Sequence, residues 1–308
     1  MFLGGRILQQ TVLADSTSRG RQTVTLVGWG DLVFSETWLA IHREASLAAE
    51  HLASGATLLG KANYAQQSYY YQAFFALSVG FERSAKLALA VDKYLQDGHF
   101  PTESELRDFG HKLDALLAEM DSLARRRGLT GDWATLPNSA IHVGIISVLS
   151  DFASNVTRYY NLDLLTRAPR LRGVTDPLMS WHEKVFVPVS EIHYTAKCRA
   201  KVEANAQLVE ELMGGHALVR HVSETGDPLT DVSAASALTG MTEAVQPYVR
   251  MYVLQIARFI DSVMSDLGNA SMQQSCEDIP YLSDYFSIFC NDDALFKGRK
   301  NWSIHGMR

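Results

Sequence analysis

The chain has 308 residues, of which 47% are hydrophobic and 20% are charged. That composition is typical of a globular protein with a sizeable core, and a chain of this length usually forms about two domains. The net charge of −6 argues against a general affinity for nucleic acid or anionic membranes, although it leaves room for a local basic groove.

The cysteines and the apolar runs indicate the compartment. Cys198, Cys276 and Cys290 are far apart and include no CxxC pair, so the sequence predicts neither a disulfide framework nor a cysteine zinc site. The first residues do not resemble a signal peptide, and no run reaches the roughly 18 apolar residues of a membrane span. We therefore expect a cytoplasmic protein without a membrane-spanning segment.

Two runs near the amino terminus predict strands. Residues 6–13 and 22–29 are the best strand candidates in the chain, and the second run alternates β-branched side chains. A polar, turn-rich stretch separates them. We therefore expect residues 1–34 to form an amino-terminal segment with a small β-hairpin.

From Ser35 onward the sequence predicts helices, because apolar residues recur at spacings of three and four. Ser35 itself is a candidate amino-terminal cap for the first of them. Further helices are expected in the first half of the chain at residues 65–96, 102–109, 111–127 and 139–160. Thr102 and Glu105 have the spacing of a capping box, and Gly110 is expected to interrupt the helices on either side of it.

The segment at residues 166–177 is rich in Pro, Gly and Arg, which is typical of a linker. We assign residues 35–165 to one helical domain and residues 177–308 to a helical carboxy-terminal domain. Within the second domain Pro188 is expected to interrupt the helices, and Pro247 to divide or kink a long one.

Two short segments resemble the HEPN family of helical proteins. Residues 80–89 (GFERSAKLAL) resemble an early family helix in which a small residue, an apolar residue, Glu and then Lys recur. Residues 107–116 (RDFGHKLDAL) resemble the Gly-His-x-Leu segment of many bacterial members. The resemblance covers residues 69–120 and extends loosely to Tyr160. It implies an all-α fold, a HEPN-like up-and-down helical bundle, to which this chain adds the small hairpin and the helical carboxy-terminal part.

The resemblance also implies a function. HEPN-like proteins are often dimeric, and many are metal-independent ribonucleases or partners in toxin, phage-defence and stress systems. We therefore expect a protein of a bacterial defence or toxin-type system, with metal-independent endoribonuclease activity as the first hypothesis. The alternative is a non-catalytic HEPN-like module for dimerisation, RNA binding or partner binding. RNA or a nucleotide is the expected ligand, a homodimer or a partner protein is the expected assembly, and no cofactor is expected.

The chemistry of metal-free RNA cleavage identifies a candidate catalytic pair. The reaction needs a base for the 2′-hydroxyl proton and a cation for the charge on the phosphorane, which histidine and arginine supply. Arg107 and His111 are the one close pair of this kind in the matching segment. If His111 starts a helix, the macrodipole favours its neutral, basic form. Glu82 and Lys86, at i and i+4, are candidate binding residues on one face of the preceding helix.

The spacing of the pair departs from the family pattern. Three residues separate Arg107 from His111, whereas the active family motif has four to six, and Gly110 lies between them. The alternative is therefore that His111 packs at a helix start and that Arg107 is solvated. Binding of RNA or a nucleotide without cleavage is a further alternative.

A second candidate binding cluster is formed by Arg158, Tyr159 and Asn161. A tyrosine ring can stack on a base while an arginine holds the phosphate backbone, and the cluster would complete a groove with Glu82 and Arg107. The alternative is that Arg158 interacts with the dipole at the end of the preceding helix. The same cluster supports a third hypothesis, a regulator that binds a nucleotide or another small molecule.

The remaining patterns point to ordinary structure. The basic stretch at residues 296–302, which includes Trp302, would contact nucleic acid or, alternatively, stay solvated. The histidines lack the spacing of a helical metal site, so no metal is expected; they stand at positions 182, 193, 216 and 221.

Overall fold

The computed structural model describes residues 34–108 and 110–303. That part of the chain is mostly helical, as the periodicity predicts, with one small two-stranded sheet. Strands β1 (His221–Val222) and β2 (Pro228–Leu229) pair antiparallel. The hairpin predicted at residues 6–13 and 22–29 lies outside the described residues. The helices in chain order are α1 (Glu36–Leu59), α2 (Ser68–Asp97), α3 (Glu103–Asp108), α4 (Leu113–Arg126), α5 (Ala140–Ala153), α6 (Tyr160–Leu165), α7 (Pro177–Trp181), α8 (Val187–His193), α9 (Ala196–Met213), α10 (Val232–Gln273), α11 (Ser283–Phe286) and α12 (Asp293–Gly298).

Helices α1 and α2 pack closely because a glycine on each helix lies against a leucine on the other helix. A Cβ atom added to Gly80 would lie 2.7 Å from Leu52 Cδ2 and 2.9 Å from the Leu52 backbone nitrogen. One added to Gly55 would lie 2.6 Å from Leu77 Cγ. The two contacts together show that the helices run antiparallel. The glycine that opens the segment at residues 80–89 is therefore a helix-packing residue.

Helix α10 passes through the core and packs against α1, α2, α5 and α12. It is continuous over 42 residues, so Pro247 does not divide it. Side chains from both sides of residues 166–177 belong to one hydrophobic cluster, which includes Ile41 near one end of the chain and Trp302 near the other. Trp302 is 0% exposed, so it is not free to contact nucleic acid as the basic stretch suggested.

Arg250 on α10 is a cation inside this core. It is 3% exposed and donates hydrogen bonds to the carbonyl oxygens of Phe296, at 3.2 Å, and Lys297, at 2.7 Å, at the end of α12. Its Nη1 also lies against Gly60, the carboxy-terminal cap of α1. Burial lowers the pKa of Arg250. Carbonyl oxygens in the last turn of α12 therefore accept the hydrogen bonds of this buried cation.

The helices were predicted to be interrupted at Pro188, but they continue through it because a π-helical turn accommodates the proline. The run from α7 to α8 stays helical through this turn, at His182–Phe186. Proline has no N–H, so Pro188 cannot donate to the carbonyl of Lys184 one turn earlier. That carbonyl faces α5, where a Cβ atom on Gly144 would lie 2.5 Å from its oxygen.

Candidate functional site

The corner between α3 and α4 carries the predicted catalytic pair. The capping box forms as predicted: the Glu105 carboxylate accepts hydrogen bonds from the Thr102 backbone nitrogen at 2.7 Å and from its hydroxyl at 2.9 Å. Gly110 has a φ of 62°, in the left-handed region, and separates the two helices as predicted. Helix α4 begins at Leu113, whose backbone nitrogen donates to Ser150 Oγ on α5 at 3.1 Å.

His111 precedes α4 and is not its first residue, as the prediction of a dipole effect on its ring required. The ring instead contacts a side chain of another helix. His111 Nδ1 lies 2.8 Å from Glu82 Oε1 on α2. Lys86 Nζ lies 2.8 Å from the same oxygen, which is the predicted i, i+4 pair. Because a carboxylate oxygen only accepts, the Nδ1–H of His111 is the donor in this contact. The His111 side chain is 68% exposed and Glu82 19%, so an imidazole that solvent can reach rests on a mostly buried carboxylate.

Arg107 and His111 line one cleft of about 550 Å³. Their short separation in the sequence therefore does not keep them from sharing a cleft. Arg107 forms an ion pair with Glu103 one turn earlier in α3, and both side chains are more than three-quarters exposed. The other residues that line the cleft are Glu44, Lys86, Leu87, Ala90, Glu103 and Leu106. Glu103 is a cleft residue beyond those predicted, and its i, i+4 spacing to Arg107 is the sequence signal that indicates the ion pair.

The second predicted cluster lies outside this cleft. Helix α5 ends at Ala153, earlier than predicted, so Arg158 is not at the end of a helix. Its guanidinium carbon instead lies 5.2 Å from the centre of the Phe75 ring and 5.7 Å from that of Phe152. Its Nε is buried without a hydrogen-bond partner in the described part of the chain.

Both chain neighbours of Arg158 in this cluster, Tyr159 and Asn161, are exposed. Burial raises the pKa of Tyr71 on α2, and Asn161 acts against that rise. Tyr159 is 48% exposed, so its ring presents an open surface.

Within residues 34–108 and 110–303 no group of three or more His, Cys, Asp and Glu side chains is arranged to hold a metal ion. No helix in the same ranges combines the length and the apolar character that crossing a membrane requires.

The described residues thus define a mostly helical protein with a cleft beside the α3–α4 corner, where His111 contacts Glu82 and where Lys86 and Arg107 lie with the carboxylates Glu44 and Glu103. Neither the protein-family models, nor the curated proteins, nor the solved structures include a match to this chain.

Proposed function

We propose that this chain is a HEPN-like protein of a bacterial defence or toxin-type system, and that its cleft cleaves RNA without a metal ion. The observation that carries the proposal is that His111 and Lys86 share one oxygen of Glu82 beside a cleft that Arg107 also lines. A base, a carboxylate that orients it and cations for the phosphate are what metal-free phosphoester cleavage requires.

In the proposed reaction His111 Nε2 takes the proton of an RNA 2′-hydroxyl. The 2′-oxygen attacks the adjacent phosphorus, the bond between phosphorus and the 5′-oxygen breaks, and the 5′-oxygen takes a proton from water. The products are a 2′,3′-cyclic phosphate and a 5′-hydroxyl. Glu82 holds the Nδ1–H tautomer and stabilises the imidazolium that forms. Lys86 and Arg107 offset the charge that develops on the phosphorane.

The ion pair between Arg107 and Glu103 is compatible with this role. Both side chains are more than three-quarters exposed, and an exposed pair of this kind contributes at most about 1 kcal/mol. A phosphate that enters the cleft can therefore replace Glu103 as the partner of Arg107, because bidentate contact with phosphate matches the guanidinium geometry.

Arg158 extends the proposed binding surface along α2. Phe75, which supports Arg158, lies seven residues before Glu82, about two turns or roughly 10 Å along the same helix face. The Arg158 guanidinium, next in the chain to the exposed Tyr159 ring, suits a phosphate and a stacked base. In this proposal an RNA single strand binds in the cleft, and the nucleotides adjacent to those in the cleft contact Arg158.

The test is cleavage of end-labelled single-stranded RNA by the purified full chain in the presence of EDTA. We expect cyclic-phosphate products, a loss of at least about 100-fold in kcat/KM for His111→Ala, and a loss of about tenfold for Glu82→Gln. His99→Ala is the matched control, because His99 is exposed and does not line the cleft. Absence of cleavage by the wild-type chain, or equal cleavage by wild type and His111→Ala, would reject the enzymatic proposal.

The second candidate is a non-catalytic HEPN-like module that binds RNA or a partner protein. It is favoured by the short separation of Arg107 and His111 and by the existing partner of Arg107, Glu103. In that case the chain binds RNA without cutting it. Lys86→Gln would then weaken binding and reduce the slope of log affinity against log salt by about one, while His111→Ala would leave the RNA intact as the wild type does.

A further inference from the structure

An exposed serine at the start of α5 lies against a buried histidine. Ser139 Oγ is 2.7 Å from Nδ1 of His142, which is 5% exposed. Ser139 also caps α5, but its Oγ accepts from the backbone nitrogen of His142 only at 3.5 Å. At Ser35, the serine that caps α1, the corresponding capping bond is 3.0 Å long and the hydroxyl donates to Asp278. The close contact of Ser139 is therefore the one with the imidazole.

A chain of hydrogen bonds fixes the direction of this contact. Nε2 of His142 lies 2.8 Å from Oε1 of Gln255 on α10, and Nε2 of Gln255 donates to Asp293 at 3.0 Å. Because the amide oxygen only accepts, Nε2 of His142 carries a proton. Burial lowers the pKa of His142, which favours the neutral ring. In the neutral ring Nδ1 then has the lone pair, so it accepts the hydroxyl proton of Ser139.

These side chains have the arrangement of an activated nucleophile. Such a nucleophile needs a hydroxyl, a base within hydrogen-bond distance and a third group that orients the base, which are here Ser139, His142 and Gln255. The first backbone N–H groups of α5, those of Ala140 and Ile141, have no carbonyl acceptor within the helix. They and the positive end of the helix dipole can stabilise the negative oxygen that forms when the hydroxyl attacks a carbonyl group.

This site is separate from the cleft of the proposed ribonuclease. The cleft is lined by residues of α1, α2 and α3 together with His111. Ser150, the α5 residue that contacts Leu113 at the start of α4, is eleven positions after Ser139, roughly 16 Å along the helix. A reaction at Ser139 would therefore be a second activity and not a step of the first.

From these observations we propose that Ser139 is a catalytic nucleophile that hydrolyses small carboxylic esters, with His142 as its general base. Nδ1 of His142 takes the hydroxyl proton while Oγ bonds to the carbonyl carbon. The bond from that carbon to the alcohol oxygen breaks, and the alcohol leaves with the proton from His142. Water then attacks the acyl-serine and gives a proton to His142. The carboxylic acid is released, and Ser139 regains its proton.

A fluorophosphonate probe, in which the serine oxygen displaces fluoride from phosphorus, tests the proposal on the purified full chain. We expect labelling of Ser139, located by mass spectrometry of its tryptic peptide. Asparagine caps helices as well as serine does, so Ser139→Asn keeps the cap and removes the nucleophile. We expect this variant to lose the label at position 139 and at least about 100-fold in kcat/KM for p-nitrophenyl acetate. His142→Gln is expected to lower the rate of labelling of Ser139 by at least about 100-fold.

Ser35 is the internal control for the reactivity of the hydroxyl. It is also exposed and also caps a helix, but its hydroxyl donates to a carboxylate and not to an imidazole, so it should stay unlabelled. The His111→Ala chain should be labelled at the wild-type rate, which separates this activity from the proposed ribonuclease.

Three results would overturn the proposal. The first is a wild-type chain that the probe does not label at Ser139. The second is equal labelling of Ser139 and Ser35, which would mean that the imidazole gives Ser139 no special reactivity. The third is a folded His142→Gln chain that is labelled as fast as the wild type. Circular dichroism of each variant checks that the helices are intact.

Discussion

The core around α10 and the corner between α3 and α4 are held together by different means. In the core, backbone and side chains approach so closely that Gly144 has no room for a Cβ atom, and even the cation Arg250 is enclosed. Helix α3, in contrast, has no buried residue and is fixed by its capping box and by the ion pair of Lys93 with Glu105. The residues that stabilise the fold and the residues that line the cleft are therefore largely separate sets.

The largest expected effect is at Arg250. Arg250→Met keeps much of the side-chain volume but leaves the buried carbonyl oxygen of Phe296 and the partly buried one of Lys297 without their donor. We expect a loss of about 3–5 kcal/mol in the free energy of unfolding, measured by urea denaturation. Arg126→Met, at a surface ion pair, is the control and should change stability by less than about 0.5 kcal/mol. Similar losses for the two variants would mean that the core has no special dependence on its buried cation.

The next effect is at Gly144. Gly144→Ala drives a methyl group against the carbonyl of Lys184, which the π-helical turn before Pro188 fixes in place. We expect a loss of about 2–3 kcal/mol by thermal or urea unfolding, because the obstacle is backbone and not a movable side chain. Gly298→Ala on α12, where a Cβ atom meets nothing within 4 Å, is the matched control and should be neutral. If Gly144→Ala leaves the free energy of unfolding unchanged, α5 and the π-helical turn can move apart without a loss of stability.

Asp261 on α10 gives the core a predicted pH dependence. Burial raises the pKa of Asp261 from 3.8 to about 7, and the neighbouring Cys290 and Ser265 act against that rise. The folded state therefore holds this proton more tightly than the unfolded state, so the stability due to this group falls as pH rises from about 4 to about 7 and is constant above that range. We expect Asp261→Asn to gain on the order of 2 kcal/mol relative to wild type at pH 8 and little at pH 4. Parallel stability profiles for the two proteins between these pH values would contradict the expectation.

The smallest expected effect on stability is at the cleft itself. The His111 side chain is 68% exposed, and its loss leaves Glu82 paired with Lys86. His111→Ala should therefore change the free energy of unfolding by less than about 0.5 kcal/mol, even where it abolishes activity. A loss above about 1 kcal/mol by urea denaturation would show that the corner is part of the folding core, and the contrast between the two regions would then fail.

Local patterns predicted the local parts of the cleft correctly. The capping box of Thr102 with Glu105 and the pairing of Glu82 with Lys86 join residues no more than four positions apart, and the break at Gly110 depends on a single residue. The helix predicted to reach Tyr160 ended at Ala153, and Asn155 just beyond it has a left-handed φ of 62°. Arg158 lies over the rings of Phe75 and Phe152 and does not interact with the dipole at a helix end. Such contacts between distant segments leave no mark in a local hydrophobic pattern.

By itself the sequence determined the helical character of the described chain, because spacing, caps and glycine breaks act within one or two turns. The tertiary structure decided where α4 begins, since Ser150 from α5 accepts the hydrogen bond of the Leu113 N–H. It also decided the partner of His111, a carboxylate 29 positions away on α2. Both depend on how α2, α4 and α5 pack against one another, and that packing is fixed by close contacts along whole helices and not by any short motif.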